Sequence, residues 1–360
     1  MSIANVGIDL GTMYTAMAAS NGCRKCIASE VGFPRDAAAR LLVNEEYVMG
    51  DDLRKHRKAL NVIRPFKGNR LKSAVTEQDY KDLIGNQSRD QITAATYLIK
   101  SVLDDLELDA GSQIRCVVGV PSSATIYSQK IIMGLVETAA QLVAIVPEPF
   151  AVGFGLDSDA NNSIIIDIGA GTVDYCYFYG AFPAAEDLKS LLLGGDHVDK
   201  QLRKSICSEF PDVKVSEQQA QFIKEKFGSV GSYTSPAVVE LPTKSGRVVS
   251  CDLTDVVRST CQQFAEMIVE NLLSHLTMIG SEDFAIENSK ILLAGGGSQL
   301  AGLTEYIEDR LDLKGQTEVK RIHDSRFAGA NGALQLARQL PDDYWKQLIS
   351  TTNVQKSNAA

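Results

Sequence analysis

The chain has 360 residues, 44% hydrophobic and 22% charged, the balance of a folded protein long enough for two domains. Its 36 basic and 45 acidic residues leave a formal net charge of −9, which argues against sequence-independent binding to nucleic acid, and no apolar run reaches the length of a membrane span. The start, MSIANVGIDL, lacks the basic-then-apolar layout of a signal peptide, and seven cysteines, mostly in apolar strings such as IRCVVGV and VDYCYFY, read as reduced core thiols of a cytoplasmic protein.

A short apolar run over residues 6–10, containing Asp9, predicts a buried strand that breaks at Gly11-Thr12 and returns as a second strand over 15–19. The basic run Arg54-Lys55-His56-Arg57-Lys58 reads first as a solvated helix face, with a contact patch for an acidic neighbour as the alternative. Helical spacing covers 91–106, a strand 114–120, a helix 128–140 and a strand 142–146. Pro147-Glu148-Pro149 then opens a helix rich in small residues, Ala151, Gly153 and Gly155. Residues 163–168 form a second strand with an aspartate, Asp167, breaking at Gly169-Ala170-Gly171-Thr172 and returning over 173–178. Helices are predicted over 218–227 and 253–276. A strand over 291–294 runs into Gly295-Gly296-Gly297, and helices follow over 300–311 and 327–340, the last stopping at Pro341. Residues 351–360 are polar and predicted to fray. Strands alternating with helices, with glycine turns at strand ends, predict an α/β protein.

The two aspartate hairpins share one grammar: buried strand, aspartate, glycine turn, threonine, returning strand. They lie roughly 160 residues apart, about one domain, so an internal duplication is expected with one copy per domain. A glycine turn at a strand end lets backbone N–H groups approach phosphate oxygens. Gly169-x-Gly171 is followed by strand-like sequence rather than a helix, which disfavours a dinucleotide fold. An aspartate beside such a turn repels bare phosphate unless a divalent cation lies between them, and Mg²⁺ takes few carboxylates and keeps its waters. Two such hairpins facing each other would clamp a triphosphate in an interdomain cleft, whereas either one alone is equally a plain β-turn with a capping aspartate. Glu148, held between two prolines, is placed to polarise a water in line with a terminal phosphate; as a first-turn acid it also suits the helix dipole, and spacing alone does not decide between these.

These residues resemble the actin-like ATPase superfamily. Asp9-Leu10-Gly11-Thr12 with Thr15 is similar to its first phosphate motif, and Asp167 through Asp174 to its second. Ile291 through Ser298 is similar to its adenosine motif, Val146 through Gly155 to its first connecting segment, and residues 327–340 to its second. Arg64-Pro65 and Gly194-Gly195-Asp196 with Asp199 resemble the MreB branch of bacterial filament-forming actins. The stretches from Glu148 to Asp157, from Ile223 to Phe227, from Ala294 to Leu303 and from Pro341 to Leu348 resemble its magnetosome-associated MamK group. The likeness is thin across 72–111 and 205–250.

The resemblance implies an actin-like fold of two duplicated ribonuclease-H-like domains around a nucleotide cleft. Domain I would span 1–150, with helices 331–350 returning to it and a small subdomain about 33–70. Domain II would span 151–330, with a small subdomain about 200–260. It implies ATP or ADP and Mg²⁺ as cofactors and ATP hydrolysis coupled to filament assembly. Gly11, Thr12 and Met13 would take phosphate through the backbone, and Asp9 and Asp167 would hold the hydrated metal. Gly169, Ala170, Gly171 and Thr172 would grip the terminal phosphates. Glu148, with Asp167, would be catalytic. Lys224 and Glu225 would meet ribose and adenine, and Gly195, Asp196, Gly295, Gly296, Gly297 and Ser298 would complete the site. Ala151, Gly153 and Gly155 would cross closely over the helix with Gly329 and Gly332. Partners would be further copies of the chain and magnetosome-associated adaptor proteins, with no nucleic acid and no direct membrane insertion, since too few residues precede the first strand for an amphipathic anchor. The place would be cytoskeletal, beside the magnetosome chain. The alternatives within the superfamily are MreB-like or ParM-like filaments for cell shape or plasmid segregation, or a non-polymerising kinase; a chaperone would need room for a peptide-binding domain. Cys23-Arg24-Lys25-Cys26 is a lone C-x-x-C, His197 and His323 have no ligand pattern around them, and His275 lies in an apolar helix and reads as core or rim, so no structural metal is expected.

Overall fold

The computed structural model describes residues 2–69, 71–72, 75–84, 89–108, 111–156, 160–231, 236–279, 289–312 and 317–347. The polar tail 351–360, Asp157 and Leu348 lie outside the described residues. The chain divides into two compact units, residues 1–161 with 326–360, and residues 162–325.

The first unit runs through β1 (Ile3–Leu10), β2 (Tyr14–Ala19), β3 (Arg24–Ala28), β4 (Val31–Pro34), α1 (Ala37–Val43), α2 (Gly50–His56), β5 (Leu60–Ile63), α3 (Glu77–Ile84), α4 (Arg89–Leu103), β6 (Gln113–Val120), α5 (Ile126–Val136), β7 (Leu142–Pro147) and α6 (Glu148–Gly155). Its main sheet has the order β3-β2-β1-β6-β7, with β4 and β5 as a separate two-stranded antiparallel sheet. In the second unit follow β8 (Ser163–Ile168), β9 (Val173–Phe178), β10 (Leu188–Leu191), α7 (Gly195–Glu209), α8 (Glu217–Phe227), β11 (Val238–Pro242), β12 (Val248–Asp252), α9 (Thr254–Ile279), β13 (Lys290–Ala294), α10 (Leu303–Arg310) and β14 (Glu318–Arg321). Its main sheet has the order β10-β9-β8-β13-β14. The chain then returns to the first unit as α11 (Ala328–Gln339) and a helical turn over 342–347.

The two sheets are built alike. In each, the aspartate strand pairs antiparallel with its hairpin partner and parallel with the next strand inward: β1 with β2 and β6, β8 with β9 and β13. Ile164, Ile165, Ile166 and Ile168 are fully buried, as are Val6, Ile8 and Leu10. Both strands therefore read as near-continuous apolar runs because each is central and covered on both faces. Each such side chain stabilises its unit by about 1.5–3 kcal/mol relative to exposure.

Helix ends follow local chemistry. The helix predicted over 91–106 stops at Leu103 and tightens to a 3₁₀ turn over Asp104–Leu106. The one predicted over 128–140 starts earlier, behind the Thr125 cap, and ends at Val136, where the Thr138 hydroxyl takes the Leu135 carbonyl at 2.7 Å. Gly295 leads into a 3₁₀ turn, Gly296–Gln299, so the helix predicted from 300 begins only at Leu303. The basic run is partly solvated, but Arg57 Nη1 meets both Glu30 carboxylate oxygens at 3.1 Å and Arg54 pairs with Asp51. Trp345 is buried in the first unit, with the Arg115 guanidinium 5.7 Å over its ring, so the terminal turn packs on that body.

Helix α11 fixes the first unit's site by close approach. A Cβ on Gly332 would come within 1.7 Å of the Ala151 carbonyl oxygen, and one on Gly155 within 2.8 Å of Gly332 Cα. Only glycine lets α6 and α11 cross this closely. On the sheet side, a Cβ on Gly7 would meet the Ala330 carbonyl at 2.1 Å, so β1 and α11 are also in backbone contact.

Candidate functional site

In the first unit the turn Gly11-Thr12-Met13 joins β1 to β2, with Asp9 in register with Ala16 on one side and Gly119 on the other. Its three carbonyls are held by protein donors. The Ser29 hydroxyl donates to Gly11 O at 2.7 Å, Arg64 Nη2 to Thr12 O at 3.2 Å, and Ser29 N–H to Met13 O at 2.9 Å. The buried Thr12 hydroxyl donates to Phe66 O at 3.4 Å. Met13 lies with its sulfur 3.7 Å from the same Arg64 nitrogen. A glycine turn at a strand end is the kind of backbone that can approach an anion.

Glu148 is the first residue of α6, and its neighbour Gly119 lies beneath it: a Cβ there would be 3.0 Å from Glu148 Cγ. Gly119 is also the register partner of Asp9, so the two carboxylates share one corner of the sheet. Lys72 enters that corner, its Nζ 2.6 Å from Glu148 Oε1 in a buried pair. Burial first and the Glu148 charge second push the Asp9 carboxyl up to about 7, with Lys72 pulling the other way. Such a carboxyl becomes a good ligand when a cation displaces its proton.

In the second unit the turn Gly169–Thr172 joins β8 to β9, and Gly169 N–H closes it on Thr172 O at 2.9 Å. Its carbonyls too are held by protein: Gly195 N–H donates to Gly169 O at 3.0 Å and Asp196 N–H to Ala170 O at 2.8 Å. The N-terminus of α7 therefore supports this turn, and those three N–H groups are spent on it. Asp167 is the register partner of both Asp174 on β9 and Ala294 on β13. Gly295, with φ of +73°, lies so close that a Cβ would be 2.4 Å from Asp167 Oδ1, while one on Gly296 would meet nothing within 4 Å. The Ser298 hydroxyl closes the glycine turn on Gly295 O at 2.7 Å. Lys224 meets Asp199 Oδ1 at 2.8 Å and Gly195 O at 3.0 Å, so its ammonium braces α7; Glu225 is exposed and accepts from Gln221 Nε2 at 2.8 Å.

Each unit thus gathers its own predicted residues: Asp9, Gly11–Met13 and Glu148 in the first, and Asp167, Gly169–Thr172, Gly195, Asp196, Lys224, Glu225 and Gly295–Ser298 in the second. Sequence reasoning missed Lys72, which lies in a stretch without motif or periodicity. It also missed the role of Asp199 as the partner of Lys224.

The donor chemistry suits a magnesium nucleotide, with one carboxylate at the strand end beside each glycine turn. His275 is a core residue, fully buried with Nε2 3.1 Å from Asp187 O, and Cys23 and Cys26 are not disulfide-bonded. Among the described residues no helix is long and apolar enough to cross a membrane.

Residues 3–341 match the MreB/Mbl protein family. The chain is 34% identical over 343 residues to the actin-like protein MamK of Magnetospirillum gryphiswaldense, covering 95% of this chain and 91% of the relative. Among solved structures, it is similar to a MamK double helical filament with a TM-score of 0.84 at 32% identity, covering 94% of this chain and all of that one. It is also similar to a non-polymerising MamK mutant bound to AMPPNP, with a TM-score of 0.67 at 32% identity over 94% of this chain and 99% of that one.

Proposed function

The chain belongs to the MreB/Mbl protein family, and from that premise we propose that it is a filament-forming bacterial actin of the MamK kind that binds and hydrolyses ATP with Mg²⁺ and assembles with copies of itself. The observation that carries the reading is the repeated turn: in both units an aspartate strand ends in a glycine turn whose carbonyls are engaged by protein donors. Gly11, Thr12 and Met13 take phosphate oxygens through backbone N–H groups. Ala170, Gly171 and Thr172 do the same on the second unit, where Gly169 shapes the turn and its own N–H closes it.

Asp9 and Asp167 would hold the hydrated Mg²⁺, whose chemistry is to neutralise charge on the phosphates. Glu148 orients the attacking water and accepts its proton as the bond to the terminal phosphate breaks. Gly295, Gly296, Gly297 and Ser298 pack beside the nucleoside, with Gly296 leaving open space. Lys224, on α8 and committed to Asp199 and Gly195 O, supports the site by bracing α7, and the exposed Glu225 beside it meets the ribose. By likeness to MamK, the filament is a cytoskeletal one that positions magnetosomes through adaptor proteins.

Sedimentation of the purified chain tests this. Pelleting with Mg²⁺-ATP but not without nucleotide supports the reading, and a soluble protein under both conditions at high concentration refutes it.

A further inference from the structure

Outside the residues already assigned, the first unit buries one charged side chain against the proposed water-activating group. Lys72 is 3% exposed, and its Nζ lies 2.6 Å from Oε1 of Glu148, whose side chain is 9% exposed. Exchanging such a buried ion pair for apolar residues is often neutral or stabilising, so fold stability alone is a weak reason for a lysine here. The geometry gives another. The stem of Glu148 rests on Gly119, where a Cβ would come within 3.0 Å of Cγ. One carboxylate oxygen is engaged by Lys72, and Oε2 accepts no hydrogen bond among the described residues. Asp9 brings a second carboxylate to the same corner and repels the first.

We infer that Lys72 is a positioning residue for Glu148: it anchors Oε1 so that Oε2 is presented to the attacking water. This rests on the reading of Glu148 as the group that activates that water. Without the anchor the carboxylate can turn about its terminal bonds and swing away from Asp9, and a displacement of about 1 Å at such a group costs on the order of 100-fold in rate. Because the anchor acts on the water and not on the nucleotide, its loss should appear in kcat and leave KM for ATP nearly unchanged.

The test is a double-mutant cycle on the full chain, read as phosphate release from Mg²⁺-ATP, with Lys72→Met, Glu148→Gln and the two combined. The expected result is a fall in kcat of about tenfold or more for each single variant, KM for ATP within about twofold, and a double variant no slower than Glu148→Gln alone. The double exchange replaces the ion pair by neutral groups of similar shape, so its comparison with Glu148→Gln decides the matter even if Lys72→Met alone fails to fold. A double variant slower than Glu148→Gln by the full effect of Lys72→Met, or by about tenfold where the single variant cannot be measured, overturns the inference. So does normal turnover by Lys72→Met beside a slow Glu148→Gln. Normal turnover by Glu148→Gln instead removes the reading of Glu148 itself, and the inference falls with it.

Discussion

Gly329, in the first turn of α11, lies directly against Asp9: a Cβ added there would stand 2.8 Å from Asp9 Oδ2 and 3.2 Å from Cγ. The helix that returns from the far end of the chain thus sets where this carboxylate can be. The obstructed atoms belong to the end of a side chain, so Gly329→Ala should move Asp9 rather than unfold the protein. We expect turnover of Mg²⁺-ATP to fall by about tenfold, in keeping with a displacement of under 1 Å, while the urea midpoint of the nucleotide-free protein shifts little. A phosphate-release assay titrated with Mg²⁺, run beside the denaturation curve, checks both halves.

Gly332, three residues on, gives the opposite outcome. Its added Cβ would fall 1.7 Å from a backbone carbonyl, that of Ala151, and backbone cannot swing aside. Gly332→Ala should therefore force α6 and α11 apart and destabilise the first unit by about 3 kcal/mol, the upper end for overpacking. Unfolding by urea, followed by circular dichroism, measures this. A variant as stable as the natural chain would mean that the two helices are not in backbone contact.

The raised Asp9 carboxyl predicts a pH dependence with a definite sign. In the unfolded chain it titrates near its ordinary 3.8, and in the folded chain at about 7. Between those values the folded state holds the extra proton, so its contribution is complete below about pH 4 and is lost as pH rises towards 7. The slope for one group is at most about 1.4 kcal/mol per pH unit, less with solvent screening. Asp9→Asn keeps the shape and removes the titration. The difference in stability between the natural chain and Asp9→Asn, measured without nucleotide, should therefore move steadily in favour of the variant from pH 4 to 7. A difference that stays flat across this range would show that burial and the Glu148 charge together do not raise the Asp9 carboxyl.

The aspartate hairpins were legible in the sequence because their signal is local: a strand buried on both faces must be apolar, and an aspartate followed by glycine interrupts it visibly. The helix Gly195–Glu209 was not among the predicted elements, since its start is a pair of glycines that reads as a turn; those glycines serve close approach, a Cβ on Gly194 falling 2.6 Å from Gly169 O. Lys72 was illegible for a different reason. Its partner is 76 residues away, its segment has no periodicity, and nothing in a lone lysine announces burial. Lys224 was expected beside ribose and adenine on the strength of its motif, while its pairing with Asp199 comes from the packing of α8 beside α7, which no local pattern encodes.

That pairing supplies a last prediction. Asp199 is buried, and burial raises its carboxyl while Lys224, 2.8 Å away, lowers it. Lys224→Met removes the compensating charge and leaves a buried carboxylate to be neutralised by uptake of a proton, so it should cost about 3–5 kcal/mol at neutral pH. That cost should shrink in acid, because a protonated Asp199 no longer needs a partner; the sign follows from a folded-state carboxyl raised above its unfolded value, which binds its proton more tightly when folded. Lys224→Met with Asp199→Asn should recover most of the loss, since neither charge is then buried alone. Urea unfolding of the three variants at pH 5 and pH 8 decides it: equal losses for the single and the double variant at both pH values would show that Lys224 stabilises the second unit through its contact with Gly195 O and its aliphatic stem, and not through Asp199.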